Sequence, residues 1–170
     1  AHVLTPSTAQ VLQRLVAARR WDIYEDPFAD QAEFEAYIDA TSTSLLYVAA
    51  STLGKFDSGV LDHFGYASGL GRFFLAVPQL LNNRRQPLPD LSIDALRMQA
   101  RIGLGILRSA RAKRKEVSRE AGYAFLAGWQ TGIILKNALK YPEKILSGGL
   151  LNIEKAYSAS LILRSLTGMW

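Results

Sequence analysis

LDHFGYASGLGRFFLAVPQLLNNRRQPLP, residues 61–89, decides the fold. Its apolar positions Leu61, Phe64, Ala67, Leu70, Phe73, Phe74, Val77 and Leu81 advance by threes and fours. That is the repeat of a helix with one buried face. Gly65 and Gly69 lie one helical turn apart on the same face. Each costs roughly 1 kcal/mol of helix propensity against Ala, so the pair points either to a close helix crossing or to a close approach to a ligand. Pro78 falls inside the pattern, where it deletes a backbone donor and is expected to kink the helix or end it locally. The stretch then runs into an exposed basic loop, Asn82-Asn83-Arg84-Arg85-Gln86, and stops at Pro87-Leu88-Pro89.

On the N-terminal side, Thr5-Pro6-Ser7 reads as a turn and helix cap, and Val11, Leu12, Leu15 and Val16 form a short amphipathic helix. Asp22, Asp26 and Asp30 are spaced as metal-ligating carboxylates can be, but Pro27 breaks the helix that would align them, and Asp30 suits a helix N-cap. A second long helix is expected from Asp30 to Leu53, its inner face following Phe34, Tyr37, Ile38, Thr41, Leu45, Val48, Ala49 and Thr52. Gly54 to Gly59 reads as a turn.

On the C-terminal side, Ser92 is placed to cap a helix carrying Ile93, Leu96, Ala100, Leu104 and Leu107. It leads into a basic run, Arg108, Arg111, Lys113, Arg114, Lys115 and Arg119. No aromatics interleave these charges, so no nucleic-acid partner is expected. An anionic membrane surface, a protein partner and simple solvation all fit. Helices over Ala121 to Leu139, with Trp129 in the core, and over Ile153 to Leu166 complete the reading, and no segment alternates long enough for a strand.

The chain of 170 residues is long enough for one domain with a core. It has no Cys and two His, which excludes disulfides, thiol catalysis and multi-histidine metal centres. The net charge of +5 suits an anionic partner or plain solubility. No uncharged apolar run approaches the ~20 residues of a bilayer span. Ala1-His2-Val3 opens the sequence without an initiator Met or a signal-peptide pattern.

Gly65 and Gly69, the loop Asn82 to Pro89 and the small-residue segment Tyr37 to Leu46 together resemble the squalene/phytoene synthase family of head-to-head prenyl-diphosphate condensing proteins. The resemblance runs from about Arg14 to Pro89 and weakens beyond. It implies an all-α, isoprenoid-synthase-like helical bundle, of which this chain is the C-terminal part of a larger domain, without the N-terminal helices. Counting back from Leu88-Pro89, the family's metal-binding aspartates fall on Ala76 and Leu80, which cannot ligate Mg²⁺. Ser42 to Tyr47, Ala76-Val77-Pro78 and Arg84-Arg85 look closest to the branch of the mitochondrial complex I assembly factor and its alphaproteobacterial relatives, whose members look non-catalytic.

This resemblance implies a non-enzymatic assembly or binding factor, with a respiratory complex I subunit as partner and a prenyl or lipid tail as ligand. Such a protein needs no catalytic residue and no cofactor. Arg72, Arg84 and Arg85 are the candidates for holding a diphosphate or other anion, and Tyr37, Thr41, Ser44, Gly65, Gly69 and Phe73 for lining the cavity. The alternative is a Mg²⁺-dependent prenyl-diphosphate transferase whose metal ligands come from an upstream segment. The implied location is the cytoplasm, with peripheral contact on a bacterial inner membrane, or the mitochondrial matrix.

Overall fold

A computed structural model describes residues 6–24, 26–151 and 170. Among these residues the chain is all helical: α1 (Pro6–Ala18), α2 (Trp21–Tyr24), α3 (Gln31–Ile38), α4 (Ser44–Leu53), α5 (Ser58–Asn82), α6 (Ile93–Ala112), α7 (Arg119–Phe125), α8 (Thr131–Lys140) and α9 (Glu143–Ser147). A single antiparallel bridge, Phe56 to Val117, is the only β pairing among the described residues. The expected cap at Thr5 and the final helix over 153–166 lie outside them.

Helix α5, which takes up most of the glycine-bearing stretch, is the centre of the bundle. It packs against α3, α4, α6, α8 and α9. It buries Val60, Leu61, Phe64, Ala67, Leu70, Phe73, Phe74 and Val77. Short polar side chains start the long elements. Asp30 accepts from the Glu33 amide at 2.8 Å, Asp57 from Val60 at 2.9 Å, Ser92 from Ala95 at 3.3 Å and Ser118 from Ala121 at 3.2 Å. Each such cap contributes about 1 kcal/mol. Asp30 is therefore a cap, as its place before the apolar run implied.

Pro78 stands inside α5, which runs on to Asn82 and into the basic loop, so of the two effects expected of the proline, ending the helix is the one that does not occur. The ring removes one donor, while the fully buried Val77 beside it stays packed in the core. Two expectations need correction. The helix expected over Ala121 to Leu139 is broken between α7 and α8 by a 3₁₀ turn at Leu126–Gly128. There, a Cβ on Gly128 would stand 2.8 Å from the Phe64 ring, so the chain turns where only glycine fits against α5.

The second concerns residues 30–53, which do not form one regular helix. A π-helical turn, Asp39–Thr43, separates α3 from α4. A π turn holds one extra residue, so the apolar face beyond it shifts by about 100° relative to an unbroken helix. Thr43, Leu46 and Ala50 are accordingly buried, whereas Leu45 is 55% exposed and Ala49 and Thr52 face solvent.

Gly65 and Gly69 lie against this turn. A Cβ at Gly65 would come within 2.8 Å of the Thr43 Cα, and one at Gly69 within 2.6 Å of the Ser42 Cβ and 2.7 Å of Ile38. The glycines mark a close helix crossing. Gly69→Leu is expected to destabilise the protein by roughly 1–3 kcal/mol through overpacking, read as a lower urea midpoint at unchanged slope. A neutral result would mean that the crossing is looser than these distances.

Candidate functional site

An apolar trough of about 240 Å³ opens between α4, α5 and α7. Leu45, Leu46, Ala49, Phe64, Ala124 and Ala127 supply apolar surface, Ser42 and Ser68 contribute hydroxyls, and Arg72 stands among them. The phase shift at the π turn creates this wall. It brings Leu46 inward and leaves Leu45 and Ala49 on the trough side of α4. The exposed Arg72 guanidinium donates to the Ala127 carbonyl at 2.7 Å, which ties it to the 3₁₀ turn. A guanidinium has five N–H donors, so others remain for an anionic group entering the trough.

Arg84 and Arg85, adjacent in sequence, point to different places. The Arg85 amide donates to the Leu80 carbonyl at 3.0 Å and the Arg84 amide to Leu81 at 2.9 Å, which is a Schellman close to α5. Arg84 takes the left-handed position with φ 59° and is exposed. The chain reversal folds Arg85 back onto α2, where its guanidinium lies 3.9 Å from the Trp21 ring centroid and donates to the Trp21 carbonyl at 2.8 Å. The two cations therefore do not form a single clamp, and Arg85 serves as a bridge from α5 to α2. The sequence pattern had no signal for this, because Trp21 lies more than sixty residues away.

Trp21 also stacks on Phe28 at 4.4 Å between ring centroids, and Phe34, Tyr37 and Phe73 complete an aromatic cluster. Tyr37 donates its hydroxyl to Asp22 at 2.9 Å, and Arg19 pairs with the same carboxylate at 3.0 Å. Asp22, one member of the metal-like aspartate spacing, thus has a structural partner on each side. A second concavity of about 440 Å³ adjoins this cluster, lined by Trp21, Tyr24, Phe28 and Tyr37 among others.

The remaining candidates disperse. Thr41 donates to the Tyr37 carbonyl within its own helix at 2.7 Å. Ser44 borders a polar hollow with Arg14, Asp39, Tyr47 and Asp62, in which burial, followed by the charge of Asp39, pushes the Asp62 carboxyl upward. Phe73 belongs to the aromatic cluster, and Gly65 and Gly69 to the crossing at the π turn. Of the residues proposed from sequence, Arg72 alone lines the apolar trough. Ser42, Leu46 and Ala127 were missed, since their side of the helix is set by the π turn and the 3₁₀ turn. Compared with known proteins, the chain matches no family model, no curated protein and no solved structure.

Burial and then the hydrogen bond to Asp22 push the Tyr37 hydroxyl up to about 12. Burial, followed by the charge and hydrogen bond of Glu35, does the same for Tyr66, also to about 12. The unfolded chain releases these protons near pH 10, while the folded chain holds them. Their contribution is therefore complete below about pH 10 and is lost as pH rises towards 12. Tyr37→Phe should flatten this alkaline decline in a series of denaturation curves, and an unchanged slope would remove Tyr37 from the cause. Arg84→Gly should raise stability by roughly 1 kcal/mol, because glycine takes the left-handed position without strain. A lower denaturation midpoint would show that the Arg84 side chain makes a contact worth more than that strain.

Proposed function

We propose that the chain is a non-catalytic binding or assembly protein with a squalene/phytoene-synthase-like bundle, and that the trough beside α5 holds a prenyl or lipid tail. The observation that carries this reading is the trough itself, an apolar wall of Leu45, Leu46, Ala49 and Phe64 with the Arg72 guanidinium beside it. Such a site suits a long apolar chain ending in a negatively charged head.

The absence of turnover is supported by α5. At the two positions where the resembled enzymes hold Mg²⁺ through aspartates, this helix has Ala76, exposed, and Leu80, half-buried. Neither has an oxygen donor for the ion. A retained fold with an occupied trough would then act as a platform for a partner, and the resemblance proposes a respiratory complex I subunit in that place.

Titration calorimetry with a non-hydrolysable farnesyl diphosphate analogue, with and without Mg²⁺, tests the proposal. Binding should be indifferent to Mg²⁺. It should weaken about tenfold in Arg72→Gln through loss of charge-assisted hydrogen bonds, and disappear in Ala49→Trp, where the indole fills the trough. Binding that requires Mg²⁺, accompanied by a condensation product, would instead make the chain a prenyl-diphosphate transferase. No binding would leave a protein scaffold without a tail.

A further inference from the structure

Helix α6 is buried on one side through Leu96, Ala100, Leu104 and Leu107, and the residues of its opposite side are exposed. A Cβ added at Gly105, midway along that side, would have none of the described residues within 4 Å. Two stripes run along it. Met98 and Ile102, each 49% exposed, form an apolar stripe that Gly105 and Ser109 continue at helical spacing. Arg97, Arg101 and Arg108 form a basic stripe alongside. Arg97 is paired with Asp94 at 3.1 Å, whereas Arg101 and Arg108 have no ion pair or hydrogen bond among the described residues. Lys113, Arg114 and Lys115, all exposed, carry the positive charge past the end of the helix.

We infer that this face of α6 docks on an anionic lipid surface. Apolar side chains beside unpaired cations, both running along the helix axis, match an interface whose acyl boundary lies just below its phosphates. Met98 and Ile102 enter the first layer while the Arg101 and Arg108 guanidiniums stay with the headgroups. Charge complementarity selects this occupant over a second copy of the chain, since two such faces would bring like basic stripes together. The inference does not depend on the trough holding a tail.

The experiment is co-sedimentation with vesicles of phosphatidylcholine alone and of phosphatidylcholine mixed with phosphatidylglycerol, with soluble polyglutamate as a parallel probe. The expected result is binding to the mixed vesicles only, falling with added salt. Arg101→Gln with Arg108→Gln should reduce it at least tenfold, and Met98→Ser with Ile102→Ser severalfold. All four substitutions are on the surface, and unchanged helical circular dichroism would confirm that the variants fold. Equal binding by wild type and both double variants would overturn the inference. So would binding to polyglutamate without binding to vesicles, which would assign the face to an acidic protein.

Discussion

Without side chains at Gly65 and Gly69, α5 comes close enough to the π turn for its backbone to lie against Thr43, Ser42 and Ile38. Much of the bundle depends on that approach. It fixes the depth at which α5 sits, and with it the packing of Phe73 into the aromatic cluster on one side and of Phe64 against Phe125 and Trp170 on the other. A methyl group at either glycine would have to displace backbone or a β-carbon, and neither yields cheaply.

The helical character of the chain could be read from its sequence because the signals were local. Apolar residues recur at helical spacing along α5 and α6, and Asp30 and Ser92 stand one residue before the helices they cap. What could not be read depended on geometry between distant residues. One extra residue in the π turn changed which side of α4 faces inward, so Leu45 was expected in the core and Leu46 was not singled out for the site. Similarly, Arg84 and Arg85 look like a pair in sequence, but the left-handed backbone at Arg84 sends them apart. Only a contact across the fold, between Arg85 and Trp21, shows what one of them does.

The trough and the aromatic cluster differ in chemical character, although both border α5. The cluster is built of packed rings tied by Asp22, Arg19 and Arg85, which hold α2 to α3 and α5. Its buried Trp21 Nε1 and Arg85 Nε nevertheless have no hydrogen-bond partner among the described residues. The described lining of the trough has a single cation and few polar groups. An apolar wall beside a partly engaged guanidinium suits a long apolar molecule with an anionic head, whereas the ring cluster joins three helices.

The π turn also sets how this chain can change by insertion or deletion. Removing one residue between Asp39 and Thr43 would let a regular helix span the segment, because the π turn holds one residue more than an α-helix along the same path. The residues beyond it would keep their angular positions, so Leu46 would stay buried and the wall of the trough would keep its face. Straightening the turn at its present length would instead rotate α4 by about 100°, bringing Leu45 inward and carrying Leu46 out. The extra residue thus acts as a spacer that the inner face of α4 can lose, whereas a regular helix of the present length would present a different face.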